Sequence, residues 1–175
     1  MDSTLETSLV ICVTGTECTG KTTLAETLAE TLQVPLVPEM ARRHLAGRNG
    51  YRREDVLDIA RAQLAAEQAA HGECPVVVAD TDLTVIQVWW EEKYGELDPW
   101  IAEALSRRSE RRYLLPRPDL PWEFDPLRES PHDRPRLHDR YRELLAGSSF
   151  PFAEIEGVGE ARFCSALARV QAWLA

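Results

Sequence analysis

The sequence of 175 residues predicts a single three-layer α/β/α domain built around a parallel sheet. Two short apolar runs, at residues 9–13 and 75–79, are rich in valine and lack polar alternation. Such runs are typical of strands that are covered on both faces. Longer segments with helical periodicity separate the strands, and this alternation favours parallel pairing with helices on both sides of the sheet.

The order of the elements follows from apolar spacing and from the breakers between segments. After the first strand, Leu24, Leu28 and Leu32 recur at helical spacing, which predicts a helix over 22–32. The next predicted elements are an extended run at 35–39, a short helix and loop at 40–51, helices at 54–71, 83–94 and 99–109, and strands at 75–79 and 112–115. Six prolines between 116 and 135 exclude regular structure over most of that span. The last predicted elements are a helix at 133–145, a strand at 152–155 and a helix at 159–174.

Composition narrows the possible partners. Hydrophobic residues make up 44% of the chain and charged residues 28%, and the formal net charge is -9. This charge argues against a surface for nonspecific binding to nucleic acid or anionic membranes. The four cysteines have no C-x-x-C spacing, so we expect neither a zinc site nor a disulfide framework. With no signal peptide or membrane-length apolar run, we expect a cytoplasmic protein.

The first strand leads into a glycine-containing loop that matches the pattern G-x-x-x-x-G-K-[ST]. In such a P-loop, backbone N–H groups and the positive end of the next helix face a polyphosphate. Lys21 then reaches the β- and γ-phosphates, and the Thr22 hydroxyl ligates Mg²⁺. The alternative is a strand-to-helix turn with an incidental lysine. The residues predicted to bind the nucleotide are Gly15, Thr16, Glu17, Cys18, Thr19, Gly20, Lys21, Thr22 and Thr23.

Acidic residues at the strand ends are the candidates for the rest of the chemistry. Asp80 ends an apolar strand, which is the usual place for the acidic group near the metal. Asp82 faces the same cleft if the backbone stays extended, as a catalytic residue. A helix N-cap is the alternative role for these aspartates. Glu39 is predicted to take a proton from an acceptor hydroxyl, the alternative being an ion pair with Arg42 or Arg43.

Arginines crowd the proline-rich segment and the helix after it. We predict that residues of about 116–136 form a lid over the nucleotide, because guanidinium groups stabilise the charge of a transferring phosphoryl group. Arg128 and Arg134 lie in or beside this segment and are the catalytic candidates. Arg140 and Arg142 are expected on a solvated helix face.

Aromatic residues offer a further hypothesis about the acceptor. Trp89, Trp90, Tyr94 and Trp122 could form a stacking slot for a flat heterocycle. Aromatics at helical spacing more often belong to a core, and this alternative stays open.

Several segments together resemble the nicotinamide riboside kinase domain of the NadR family and its AAA-labelled ATPase relatives. The segments are Gly-Thr-Glu-Cys-Thr-Gly-Lys-Thr-Thr-Leu, Val-Pro-Glu-Met-Ala-Arg, Asp-Thr-Asp and Pro-Trp-Glu-Phe-Asp-Pro-Leu-Arg-Glu. The resemblance covers nearly the whole chain. It implies an adenylate-kinase-like P-loop fold, ATP and Mg²⁺ as cofactors, and phosphorylation of a ribosyl 5′-hydroxyl in NAD biosynthesis.

The resemblance also carries over to single residues. Glu39 and Arg42 match the acidic-aromatic-Ala-Arg segment of the family, Asp80 and Asp82 match its aspartate pair, and Arg128 matches its lid arginine. Met40 replaces the usual tyrosine and Pro126 the usual glycine, and both departures concern the acceptor. Since the chain lacks a His-x-Gly-His motif and a DNA-binding extension, we expect a stand-alone kinase domain.

Three functions remain open from the sequence. They are a small-molecule kinase, a nucleotide hydrolase or mechanical ATPase, and a nucleotide-sensing module with negligible turnover. The absence of an Asn-Lys-x-Asp motif argues against a guanine-specific switch. The kinase is preferred because a lid arginine and a strand-end carboxylate add little to a passive binder.

Overall fold

Five parallel strands form one sheet in the computed structural model, which describes residues 8–124 and 132–175. The spatial order is β2-β3-β1-β4-β5, so the first strand lies at the centre. The strands are β1 (Leu9–Val13), β2 (Leu36–Val37), β3 (Val76–Asp80), β4 (Glu110–Pro116) and β5 (Phe152–Ile155). Every pairing is parallel, with Val13 beside Asp80 on one side and Leu114 on the other. The predicted parallel α/β fold is confirmed.

Helices connect the strands at positions close to the predicted ones. They are α1 (Lys21–Leu32), α2 (Met40–Leu45), α3 (Arg53–His71), α4 (Leu83–Tyr94), α5 (Pro99–Ser106), α6 (Arg134–Ala146) and α7 (Gly159–Leu174). Strand β4 begins two residues earlier than predicted, because the Arg111 guanidinium is paired with carboxylates inside the protein and can be buried there. None of the helices in the described ranges combines the length and the apolar character needed to span a membrane.

Apolar side chains fill the space on both faces of the sheet. On one face, Leu28 of α1 and Val170 of α7 pack against residues such as Ile11 and Val78. On the other face, Tyr141 of α6 packs with Val10, Val77 and other strand residues. The strands are therefore covered on both sides, as their continuous apolar composition predicts.

A third apolar cluster joins α2, α3, α4 and α5 beyond the sheet. Its buried members include Leu45, Ile59, Ile86 and Trp90. This cluster forms a wall next to the carboxyl ends of the strands. In an open parallel sheet, the loops at those ends form the ligand-binding crevice, and the candidate residues of the sequence lie in these loops.

Candidate functional site

The loop between β1 and α1 has the backbone conformation that phosphate binding requires. Gly15 and Gly20 have positive φ angles of 129° and 74°, which only glycine adopts without strain. A Cβ on Gly15 would lie 3.0 Å from a Leu115 methyl carbon, so the loop is also tightly packed. The N-cap residue of α1 is Gly20, which has no side chain to cap the first turn. The N–H groups of that turn, and the positive end of the helix dipole, therefore face the loop.

Lys21 lies at the start of α1 with its ammonium group folded over the loop. Its Nζ donates a hydrogen bond of 2.6 Å to the Thr16 carbonyl oxygen. Burial lowers the pKa of Lys21, and the nearby carboxylates of Glu39 and Asp80 only partly offset this effect. The side chain is thus held at the P-loop. The negative charge of a phosphate bound there would raise the pKa of Lys21 toward its usual value.

Asp80 ends β3 beside the P-loop and has an unused ligand atom. The residue is only 2% exposed, and its Oδ1 has no hydrogen-bond partner among residues 8–124 and 132–175. Burial raises the pKa of Asp80 to about 6, against the opposing effect of a hydrogen bond from the Thr22 hydroxyl. Among the described residues no group of three or more His, Cys, Asp or Glu could hold a metal by itself. The Asp80 carboxylate and the Thr22 hydroxyl together offer oxygen ligands. They fit a magnesium ion that would take its other ligands from phosphate and water.

The prediction that Asp82 faces the same cleft is corrected by the backbone. Thr81 has a φ angle of 70°, so the chain is not extended between the two aspartates and their side chains diverge. Asp82 is 1% exposed and caps α4 by accepting a hydrogen bond from the Thr84 N–H. Its other oxygen accepts bonds of 2.7 Å from Arg111 and from the Tyr113 hydroxyl. Asp82 therefore has the helix N-cap role that was the alternative for both aspartates.

The surroundings of Asp82 form a buried ion network that the sequence analysis missed. Arg111, which is 1% exposed, also donates a hydrogen bond of 2.9 Å to Glu67 on α3. Burial alone would raise the pKa of Asp82, but the charges of Arg111 and Arg108 outweigh it and hold that pKa below its usual value. The network therefore connects α3, α4 and β4 and keeps its charges paired.

Glu39 lies where β2 passes into α2, at the rim of the cleft. Its Oε2 accepts a hydrogen bond of 2.9 Å from Arg42 Nε, so the ion pair considered as the alternative is present. The carboxylate nevertheless lines the cleft and influences the pKa values of Lys21 and Asp80. The structure thus leaves Glu39 beside the phosphate-binding loop with an arginine partner.

A single cleft of about 900 Å³ extends from the P-loop past Glu39 to an aromatic end. At that end the Trp89 indole N–H donates a hydrogen bond of 2.7 Å to the Tyr51 hydroxyl, and their rings pack edge to face. Lys93 lies 3.9 Å from the centre of the Tyr51 ring. The far end of the cleft therefore combines flat apolar surface with polar atoms.

Of the four aromatics proposed for a stacking slot, the structure brings only Trp89 to the cleft wall. Trp90 is 1% exposed and belongs to the apolar cluster of α2 to α5, and Tyr94 packs edge to face against it. Trp122 donates a hydrogen bond of 2.7 Å to Glu17 of the P-loop. Tyr51 lines the cleft instead, and its isolated position in the sequence gave no sign of this.

The segment after β4 contacts the P-loop directly. Besides the Trp122 bond to Glu17, the Glu123 N–H donates a hydrogen bond of 3.2 Å to the Cys18 sulfur. Arg134, at the start of α6, donates to the carbonyl oxygens of Leu120 and Cys18 at 2.8 and 3.3 Å. The predicted lid thus begins against the nucleotide-binding loop, and Arg134 joins the two segments.

The other arginines, in the lid segment and in the helices after it, lie in different environments. Arg128 lies outside the described residues. Arg140 pairs with Glu91 and Arg142 with Asp139, so both occupy surface ion pairs as expected. Arg162 on α7 was missed by the sequence analysis, because it looks like any polar residue of an amphipathic helix. It is 4% exposed and hydrogen-bonds the Thr19 carbonyl of the P-loop and the Asp119 carboxylate.

The loop geometry, the strand order and the cleft define a P-loop nucleotide-binding protein with a kinase-like fold. A model of the AAA domain family AAA_28 matches residues 10–162. The chain therefore belongs to this AAA domain family. A search of curated proteins found no match.

Solved structures with the same fold include two NadR complexes and a thymidylate kinase. A NadR protein in complex with NR is 21% identical with a TM-score of 0.79, and 95% of this chain aligns to 52% of that chain. A NadR protein in complex with NAD and AMP-PNP is 22% identical with a TM-score of 0.77, at coverages of 95% and 50%. Thymidylate kinase from Ehrlichia chaffeensis is 16% identical with a TM-score of 0.64, at coverages of 96% and 99%. The chain thus spans about half the length of the NadR proteins.

Proposed function

We propose that this chain is an ATP-dependent kinase that transfers the γ-phosphate of ATP to a hydroxyl of a nucleoside-like acceptor. The observation that carries the proposal is the shape of the cleft, which joins a phosphate-binding loop to an aromatic end with Glu39 between them. A pure nucleotide binder needs only the first end. A kinase needs both ends in one cavity, because the acceptor hydroxyl has to approach the γ-phosphate.

The nucleotide end of the cleft uses backbone and side-chain donors. In the proposal, the N–H groups of the loop and Lys21 bind the phosphates, while the Thr22 hydroxyl and Asp80 hold Mg²⁺. The bound ion supplies positive charge to the phosphate oxygens. The unpartnered Oδ1 of Asp80 supports this role, since a buried carboxylate oxygen with no partner is costly unless a ligand satisfies it.

Glu39 is the proposed general base for the acceptor hydroxyl. It lines the cleft between the two ends, beside its ion-pair partner Arg42, and a carboxylate in this position can take a proton from an acceptor hydroxyl. Arg134 is proposed to act from the lid side, where its hydrogen bonds to Leu120 and Cys18 place it at the P-loop. Arg128 is proposed to act from the same segment, on the resemblance of its sequence alone.

The aromatic end of the cleft supports a flat acceptor. Trp89 and Tyr51 present ring surfaces, and the polar atoms of Lys93 and Glu92 line the same region. The complex of a similar NadR protein with NR makes nicotinamide riboside the first acceptor to test. In that case the chain would act in NAD biosynthesis in the cytoplasm.

A screen of nucleosides for acceptor-dependent ADP release tests the proposal. We expect at least one nucleoside, with nicotinamide riboside first, to raise ADP release well above the rate with ATP and Mg²⁺ alone. A phosphorylated product of the matching mass would establish the transfer. ATP hydrolysis that no acceptor stimulates would overturn the kinase and favour an ATPase, and tight binding with no turnover would favour a nucleotide-sensing module.

A further inference from the structure

Gln63, on the inner face of α3, contacts two strand-end loops of the cleft at once. Its Oε1 accepts a hydrogen bond of 2.9 Å from the Met40 N–H. Its Nε2 donates to the carbonyl oxygens of Pro38 and Thr81, at 3.3 and 3.4 Å. The residue is 3% exposed and lines the inner wall of the cleft.

The three bonds surround the residues to which the proposed function assigns chemistry. Pro38 and Met40 are the neighbours of Glu39 on either side, so the amide holds the backbone before and after the carboxylate. Thr81 directly follows Asp80 and has the left-handed backbone that separates Asp80 from Asp82. One side chain therefore links the loop of the proposed base to the loop of the proposed metal ligand.

The chemistry of the amide fits this position well. Two carbonyl oxygens and one N–H require two donors and one acceptor, and a primary amide supplies them in one planar group. The reverse orientation of the amide would place its oxygen against two carbonyl oxygens. Both N–H donors are used within the protein, so Gln63 does not have a donor left for a substrate. Any effect on the reaction therefore acts through Glu39, whose two neighbours it holds.

We propose that Gln63 is a positioning residue that fixes the Glu39 carboxylate relative to Asp80 and the P-loop. This inference rests on the proposed kinase function. Strand β2 would stay paired with β3 without Gln63, but the turn after it would lose the amide bonds that tie it to the β3 loop. Glu39 would then sample positions away from the acceptor hydroxyl. A displacement of about 1 Å at a reacting group can lower the rate by about 100-fold.

Gln63→Met tests the inference, because it keeps the length of the side chain and removes the three hydrogen bonds. We expect kcat for acceptor phosphorylation to fall roughly 10- to 100-fold, while the KM for ATP changes less than about twofold. Gln68→Met, at an exposed position on the same helix, is the matched control and should behave as the native protein. A native kcat in Gln63→Met, or a parallel loss of ATP binding, would overturn the inference.

A double substitution separates positioning from general damage. If Gln63 acts through the carboxylate, Gln63→Met should lower kcat no further in a Glu39→Gln background. Additive losses would show that Gln63 has a structural role independent of Glu39. If Gln63→Met folds poorly, Gln63→Glu keeps the acceptor for the Met40 N–H and loses both carbonyl contacts. Native kcat in that variant would also contradict the proposal.

Amide hydrogen exchange at Met40 provides a readout that needs no acceptor. The Met40 N–H should lose protection in Gln63→Met and keep it in Gln68→Met, whereas the Leu24 N–H of α1 should be unchanged in both. If the native protein phosphorylates no acceptor, the proposed function fails and this measurement decides the positioning role alone. Unchanged protection at Met40 would overturn it.

Discussion

Asp80 and Asp82 are two residues apart and occupy opposite environments. Asp80 faces the P-loop with an unpartnered oxygen, and burial raises its pKa to about 6. Asp82 faces away, accepts three hydrogen bonds, and has a pKa that Arg111 and Arg108 hold below its usual value. The positive φ angle of Thr81 separates them. The carboxylate with an unpaired oxygen thus lies at the cleft, and the carboxylate whose hydrogen bonds are satisfied lies in the structural network behind it.

The same contrast extends to the regions around the two aspartates. In the described part of the chain, the cleft holds buried polar atoms without hydrogen-bond partners, including the Thr16 hydroxyl, and a lysine whose pKa is lowered. The ion network of Glu67, Asp82 and Arg111 has its charges paired within the protein. Substitutions in the cleft should therefore change function more than stability, and substitutions in the network the reverse.

The largest expected effect is that of Lys21→Ala, which should abolish turnover with little change in the melting temperature. The ammonium group contributes charge to the phosphates and only one hydrogen bond to the loop backbone. Kinetics with ATP and Mg²⁺ and a thermal melt check this. Lys93→Ala, at the aromatic end of the cleft, is the control and should keep ATP affinity. Equal rate and ATP affinity in Lys21→Ala would disprove the P-loop assignment.

Glu39→Gln should lower acceptor phosphorylation by roughly 10²- to 10⁴-fold, which is the usual cost of removing a general base. ATP affinity should stay near normal, and background hydrolysis should fall much less. Single-turnover product formation and equilibrium binding measure the two effects. A variant that also loses ATP binding would show that Glu39 serves mainly as the ion-pair partner of Arg42.

Asp82→Ala should affect stability first. Removing one partner of a buried ion pair typically costs about 3 to 5 kcal/mol, because the other charge stays buried, and here the α4 cap is lost as well. Denaturant unfolding measures the change. Asp58→Ala removes an exposed ion pair with Arg61 and should stay within about 0.5 kcal/mol of the native protein. A stable Asp82→Ala variant with no activity would place Asp82 in the catalytic group after all.

Asp80→Asn should weaken Mg²⁺-dependent nucleotide binding by roughly 10- to 100-fold, the range found even for residues that only support a metal ligand. Metal-free binding should change little, since the shape is kept. Calorimetric titrations with Mg²⁺ and with a chelator separate the two. In contrast to Asp82→Ala, this variant should not be destabilised. A uniform loss of affinity under both conditions would argue against metal binding.

A further prediction concerns the pH dependence of stability and Mg²⁺ affinity. Burial raises the folded-state pKa of Asp80 from 3.8 to about 6, so the folded protein favours the protonated carboxyl. The stability that this protonated carboxyl contributes to the metal-free protein is fully present below pH 4 and is lost as the pH rises through about 6. The shift corresponds to roughly 2 to 3 kcal/mol. Asp80→Asn should therefore stabilise the metal-free protein at pH 7.5.

Mg²⁺ affinity should change with pH in the opposite direction to stability, because Mg²⁺ binding requires the ionised Asp80 carboxylate. Native affinity should fall as the pH drops below about 6. Unfolding and binding titrations between pH 4 and 8 test both directions. A pH-independent difference in stability between the native protein and Asp80→Asn would show that the pKa of Asp80 is not raised.

Features encoded in contiguous residues were predictable from the sequence. The P-loop follows from eight adjacent residues, and β1 and β3 follow from uninterrupted apolar runs, because their local composition already determines their burial. The position of Asp80 at the end of β3 was predictable for the same reason, because it is the polar residue that ends a buried strand.

Features that depend on one dihedral angle or on distant contacts were not predictable. The orientation of Asp82 turns on the φ angle of Thr81, and threonine rarely adopts positive φ. Gln63 and Arg111 look like ordinary polar residues in a helix and a strand. The contacts that tie them to other elements lie between 18 and 44 positions away along the chain, so no local pattern reveals them.

The bond from Arg162 to the Thr19 carbonyl has a consequence for the choice of fragments in protein engineering. The matched family region ends at this residue, one turn into α7. A fragment cut there would keep the guanidinium but discard Ala166 and Val170, which anchor the helix on the sheet. An isolated helical turn is unstable in water. Fragment boundaries, tags and split reporters therefore belong beyond the last turn of α7, since a cut inside it would loosen the loop at the opposite end of the sequence.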